Sequence, residues 1–260
     1  MSIIARCSTG IEALDRILEG LRLGDNVVWQ VDNVADYAYF VKAFVARTLQ
    51  EQRRLVYLRF GQHRRIVPDH PLVRVYYLEP ELGFESFSAR VHDIAASEGR
   101  GVYYVFDCLS DLLATWETDL MIGNFFRVTC PYLFDLDTIA YFGLLRNRNS
   151  YDTIARIRET TQLFLDIYQQ GDQLLVHPLK VWNRYSPTMF LPHIRVGNDF
   201  LPISSSMEAS QLFAGLGWRG PGNVEGKLDY ADRVFLKAQE MVDRSRSGDK
   251  VPPGEEREML

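Results

Sequence analysis

A chain of 260 residues with 47% hydrophobic and 24% charged residues can bury one large core plus an appendage, and it is too apolar for an intrinsically disordered protein. The formal charge of −5 speaks against a general nucleic-acid surface, which needs clustered Lys and Arg to displace counterions from phosphates. Cys7, Cys108 and Cys130 form neither a CxxC pair nor a metal-like Cys/His spacing, and no run of about 18 apolar residues could cross a bilayer.

The opening MSIIARCSTG has no basic segment followed by a long apolar run, so a cytoplasmic protein with no membrane contact is expected. Local basic spots at Arg53, Arg54, Arg64 and Arg65 read as solvated faces. Residues 8–20 open on Ser/Thr and place Ile11, Leu14, Ile17 and Leu18 at helical spacing before Gly20, which predicts a capped amphipathic helix. The apolar run NVVWQV at 26–31 reads as a buried strand. Tyr37, Phe40, Val41, Phe44, Val45 and Leu49 then give one apolar face to a helix over 35–52.

Strands are expected at 54–60 and 72–78, followed by a helix over 84–98 carried by Phe84, Phe87, Val91 and Ile94. Residues 101–107, GVYYVFD, run β-branched and aromatic side chains directly into an acid, the pattern of a central parallel strand. Helices are expected over 118–130 and 150–169, on either side of a strand at 138–144. Residues 173–182, 189–196 and 200–203 read as antiparallel strands separated by turns such as Gly197-Asn198. The predicted class is α/β: a mostly parallel central sheet with helices on both faces and a β-hairpin at its end. The expected organisation is a core over 1–205, a linker over 206–226, and a helix with a polar tail over 227–260. The glycines at 215–223 belong to that linker; they follow no strand and lack the Lys-Ser/Thr of a phosphate cradle.

Ser8-Thr9-Gly10-Ile11 with Leu14-Asp15, Ile17-Leu18, Gly20 and Leu23, ahead of VVWQV, resemble the opening of KaiC-like and RadA-like members of the RecA ATPase superfamily. That opening reads S-T-G-x-x-x-L-D-x-x-L-x-G-G-x-x-x-G. VYYVFDCLSDLL is similar to the strand that ends in the Walker B aspartate, with Asp107 at that place, and residues 179–203 are similar to the terminal hairpin. The resemblance covers about residues 8–203 and implies a RecA-like P-loop NTPase fold.

A working phosphate loop reads G-x-x-x-x-G-K-[ST]: glycines let backbone N–H groups reach the phosphates, Lys neutralises them, and the hydroxyl holds Mg²⁺. Here the junction reads Asp32-Asn33-Val34-Ala35-Asp36-Tyr37-Ala38-Tyr39, with Tyr37 near the lysine's place and Ala38 near the hydroxyl's. Asp32 and Asp36 would repel a triphosphate; at an effective dielectric of ~20 each close pair of unit charges costs on the order of several kcal/mol. The glutamate that the resemblance implies after the 54–60 strand is replaced by Gly61-Gln62-His63, and of Lys-x-Arg in the terminal hairpin only Lys180 is present, with Trp182 following.

The remaining candidates have plain readings. Asp107 with Asp111 could hold Mg²⁺ but reads as structural without phosphates to share the ion. His63 and His70, beside Arg64, Arg65 and Asp69, read as surface residues, and Cys108 as an inert core thiol. Trp29, Tyr37, Tyr39 and Phe40 read as core filling the vacated pocket. No catalytic residue, cofactor or metal is expected; the vestigial nucleotide site comprises Asp32, Asn33, Asp36, Tyr37, Ala38 and Asp107.

The expected function is that of a pseudo-ATPase: a KaiC-like regulatory or assembly module that docks on a protein partner or on itself. LRLGDNVVWQV also looks like amino-terminal extensions of phosphoenolpyruvate synthase or pyruvate phosphate dikinase-like proteins, and the chain's stop at GEEREML would suit an excised amino-terminal domain. No residue here carries the phosphohistidine or ATP-grasp chemistry of those enzymes. The alternative is a sensor that binds a nucleotide or phosphometabolite, weakly and without hydrolysis. A DNA-binding recombinase relative is disfavoured by the acidic balance.

Overall fold

The structure is a computed structural model and describes residues 6–170 and 172–205. Strand β1 (Arg6–Cys7) pairs antiparallel with β2 (Leu21–Arg22), and α1 (Glu12–Leu18) lies between them in sequence. Ser8 and Thr9 do not cap α1, contrary to expectation: its N-cap is Ile11, which makes no side-chain bond. Both hydroxyls and the Thr9 N–H donate instead to the Asp15 carboxylate, the Thr9 bonds at 2.7 and 2.8 Å. Gly10 beside them has φ +84°, and a Cβ there would stand 2.1 Å from the Ala43 carbonyl oxygen, so only glycine lets this clasp lie on the following helix.

Next come β3 (Asn26–Val31), α2 (Val34–Gln50), β4 (Leu55–Arg59), β5 (Val73–Tyr77) and α3 (Phe84–Glu98). They are followed by β6 (Tyr103–Cys108), α4 (Leu113–Trp116), α5 (Leu120–Asp135), β7 (Ile139–Leu145) and α6 (Tyr151–Thr160). The described part closes with β8 (Leu163–Gln170), β9 (Gln173–Val181), β10 (His193–Val196) and β11 (Asp199–Pro202). The chain divides into two units, Met1–Leu216 and Gly217–Leu260. The linker and tail expected over 206–260, including the glycine-rich stretch at 215–223, lie outside the described residues.

Nine strands form one sheet in the order β11-β10-β9-β8-β3-β7-β6-β4-β5. The six from β8 to β5 run parallel to their neighbours, while β9, β10 and β11 add an antiparallel wing. Alternation along the buried strands splits the core in two, because successive side chains point to opposite faces. Val27, Trp29, Val31, Tyr57 and Tyr141 pack with α1 and α2 on one face. Val28, Leu58, Phe106, Phe142 and Phe164 pack with α3, α5 and α6 on the other. The wing is tied to the parallel half by Arg184, whose buried guanidinium donates to the Gly20 carbonyl at 2.7 Å and to the Asp25 carboxylate at 2.7 and 2.8 Å.

Two expected elements are corrected. Residues 150–169 are not one helix: α6 ends at Thr160, Thr161 is extended, and β8 begins at Leu163. The Thr160 and Thr161 hydroxyls turn back onto the Arg156 and Ile157 carbonyls, and β8 gains ladders on both sides, with β3 and with β9. Of the strand expected at 189–196, only His193–Val196 pairs, since Met189 and Leu191 bond back to Ser186 and Thr188 as turns.

Candidate functional site

In open α/β sheets ligands bind in the crevice beyond the carboxyl ends of the parallel strands. At that end of β3, the link to α2 consists of Asp32 and Asn33 alone. Asn33 caps the helix: its side-chain oxygen accepts the Asp36 N–H at 3.1 Å, and its amide donates to the Asp36 carboxylate at 2.8 Å. The free N–H end of α2 therefore already faces a carboxylate from its own first turn. Burial raises the Asp36 pKa above its ordinary 3.8, and the charge of Asp32 adds to the rise.

Tyr37 and Ala38 sit inside α2 and are buried. The Tyr37 ring lies on Gly143 of β7, where an added Cβ would stand 2.6 Å from its Cδ1. Its hydroxyl donates to the Phe106 carbonyl at 3.0 Å. That carbonyl lies where the β6–β7 register shifts between Val105 and Cys108, so the tyrosine satisfies an acceptor at an interruption of the ladder. Trp29 and Phe40 stack at 4.3 Å in the same buried layer. Tyr39 departs from the expected aromatic group: it is exposed, touches the edge of Phe40, and carries the Arg195 guanidinium 5.8 Å from its ring centre.

The charge at this junction also differs from the expectation of unopposed acids. Arg146, directly after β7, pairs with Asp32 at 2.7 Å and with Asp166 of β8, and lies 3.9 Å over the Tyr168 ring. Gln30 and the Tyr168 hydroxyl also donate to Asp166, at 3.1 and 2.7 Å. One cation thus bridges two carboxylates across the strand ends. Sequence reasoning missed it, although an arginine directly after the apolar run TIAYFGLL was the signal.

Asp107 is fully buried and hydrogen-bonded through both oxygens. Its oxygens accept from the Tyr57 hydroxyl, from Arg59 at 2.6 Å, and from the Phe60 and Gly61 N–H groups at 2.9 and 2.8 Å. Oδ2 takes three of these donors and Oδ1 takes one, so protein groups hold both oxygens. His63, expected on the surface without a partner, lies with its Nε2 3.4 Å from Asp107 Oδ1 and accepts the Cys108 N–H at 3.3 Å. Its Nδ1 is 2.8 Å from the Arg64 carbonyl. His70 is exposed, and Asp111 accepts the Gln62 N–H at 3.2 Å. The loop over 60–62 therefore donates its backbone to Asp107 and Asp111.

Burial pushes the Cys108 thiol up to about 12, which makes it a poor nucleophile beside His63. Lys180 donates to the Arg158 and Glu159 carbonyls at the end of α6, and Trp182 is half exposed against the edge of Phe134. Among the described residues no group of three or more His, Cys, Asp or Glu is placed to hold a metal, and no helix is long and apolar enough to cross a membrane. No protein-family model matches the chain, and no curated protein matches it.

Proposed function

We propose that the chain is a RecA-like domain of the KaiC/RadA type whose phosphate loop has degenerated, acting as a non-catalytic regulatory or assembly module in a reducing, cytoplasmic compartment. The sheet supports the fold reading: six parallel strands carry helices on both faces, and an antiparallel hairpin ends the described chain. The observation that carries the functional reading is the two-residue link Asp32-Asn33 with Tyr37 locked beneath it. A triphosphate needs a loop of backbone N–H groups to wrap it, and this link has neither the length nor the free donors. Asp107 supports the same reading, because both of its oxygens are engaged by protein donors and its carboxylate is fully buried.

Partner recognition then falls to the surfaces of the sheet, with a protein or a second copy as the ligand; three buried free thiols suit the compartment. Attachment to a phosphoenolpyruvate- or pyruvate-utilising enzyme rests on the LRLGDNVVWQV similarity. Calorimetric titration with Mg-ATP and with ADP, together with a phosphate-release assay, tests the proposal. No heat of binding and no released phosphate are expected, and saturable micromolar binding or turnover would overturn it.

One observation favours the sensor as a second reading. Arg146 is a cation at the strand ends whose Asp32 partner is exposed, and an anionic ligand could replace that carboxylate. On this reading Asp32→Ala tightens binding of inorganic phosphate or pyrophosphate, whereas a pure scaffold shows none in either form.

A further inference from the structure

The sheet has two edges, and they are built differently. β11 is four residues long, ends in Pro202, and its Asp199 pairs with Arg16 of α1. Proline and charge are devices that keep an edge from pairing with another chain. β5, Val73-Arg74-Val75-Tyr76-Tyr77, has no proline, and its register with β4 is unbroken from Val73 to Tyr77.

The hydrogen bonds define which backbone groups of β5 face outward. Leu55 N–H donates to the Leu72 carbonyl and Leu78 N–H to the Arg59 carbonyl, so even-numbered residues turn their backbone toward β4. The odd-numbered residues Val73, Val75 and Tyr77 turn theirs away from β4, to an edge that pairs with no strand among the described residues; of these groups the Val73 N–H is taken by the His70 carbonyl. Tyr77 is 74% exposed. On the α3 face, Arg74 and Tyr76 both donate to the buried Glu98 carboxylate, at 2.9 and 2.7 Å.

We infer that β5 is a homodimer edge, pairing antiparallel with β5 of a second copy about a twofold axis through Val75. Only an outward-facing residue can meet itself in a hydrogen-bonded pair, which places the axis at Val75 rather than at Arg74 or Tyr76. In this register the two Val75 residues exchange two bonds, and each Tyr77 N–H donates to a Val73 carbonyl across the axis. The side chains complement themselves. Each Arg74 comes opposite Tyr76 of the other copy, a cation–aromatic pair already charge-balanced by Glu98, while exposed Tyr77 covers Val73. An unrelated extended peptide could match the backbone, but these reciprocal pairs are what a second copy supplies.

The inference rests on the assembly reading above, yet the two fail separately: nucleotide titration tests that reading, and self-association tests this one. The full chain is expected at twice its 30.0 kDa in sedimentation across the micromolar range. Tyr77→Glu, a change at an exposed side chain, should return it to monomer with unaltered circular dichroism. With copper–phenanthroline as oxidant, Val75→Cys should link to itself, since paired Cα atoms about 5.5 Å apart lie within disulfide range. Val73→Cys should not, its copies being offset by four residues or roughly 13 Å, while a mixture of Val73→Cys and Tyr77→Cys should link. The native thiols are buried and stay out of the reaction. A monomer throughout, a dimer indifferent to Tyr77→Glu, or equal linking at Val73→Cys and Val75→Cys would overturn the inference.

Discussion

The contact between Tyr37 and Gly143 can be tested by a double-mutant cycle. Gly143 has no positive φ to protect, so Gly143→Ala tests space alone; its Cβ would stand 2.6 Å from Tyr37 Cδ1 and 2.8 Å from Cε1. Neither ring nor strand has room to give in a layer this buried, and overpacking should cost about 1–3 kcal/mol. Tyr37→Ala empties the same space from the other side, at about 3–5 kcal/mol, and leaves the Phe106 carbonyl without its donor for roughly 1 kcal/mol more. Once the ring is gone, the three atoms nearest the new methyl are gone with it, and Gly143→Ala should be neutral or stabilise by about 0.5–1 kcal/mol, as alanine does over glycine within a strand. The two changes should therefore couple by about 2 kcal/mol. Guanidinium unfolding of the four proteins measures this, read from midpoints at unchanged slope. Additivity within about 0.5 kcal/mol would show that Tyr37 is not packed as described and would remove the main support for a filled nucleotide site.

Arg184→Met should destabilise by about 3–5 kcal/mol, because it leaves the Asp25 carboxylate buried and unpaired. Burial already raises the Asp25 pKa above 3.8, opposed in part by Arg184. A raised acid binds its proton more tightly when folded, so stability falls as pH rises through the folded pKa. The variant's deficit should accordingly be largest at neutral pH and narrow on acidification, as stability-versus-pH curves of both proteins would show. Asp107→Asn should cost about 3–5 kcal/mol in denaturant unfolding, since it removes the anion from Arg59 and sets an amide against the Phe60 and Gly61 N–H donors. Unchanged stability would contradict a structural role for Asp107. Ellman's reagent should find Cys108 and Cys130 unreactive in the native protein and fully reactive in guanidinium, burial having raised both thiols.

Where side-chain period and backbone pairing agree, the sequence was readable. NVVWQV, LVYLR and YYVFDC are strands because their runs are short, apolar and rich in β-branched and aromatic residues, and α2 and α3 declare an apolar stripe at helical spacing. β8 was hidden because both of its faces are buried, so LFLDIY shows no alternation and continues the apolar spacing of α6. That 32–39 has none of the residue types of a phosphate loop is plain in the sequence, while the two-residue link between β3 and α2 and the packing of Tyr37 on Gly143 are not. The partners of the acids were equally out of reach: Tyr57 and Arg59 lie 50 and 48 positions from Asp107, and Arg146 lies 114 from Asp32. Pairings over such separations are made by the strand order, which local patterns do not encode.

The Arg184 tie has a topological consequence. It fastens the turn after β9 to the residues that lead the chain into β3, so a late segment of the domain holds an early one in place. Peeling the antiparallel wing from the sheet would strand a carboxylate in an apolar interior. Opening the turn after β9 therefore carries the cost of an unpaired buried charge, which couples the base of the wing to the strand at the centre of the sheet.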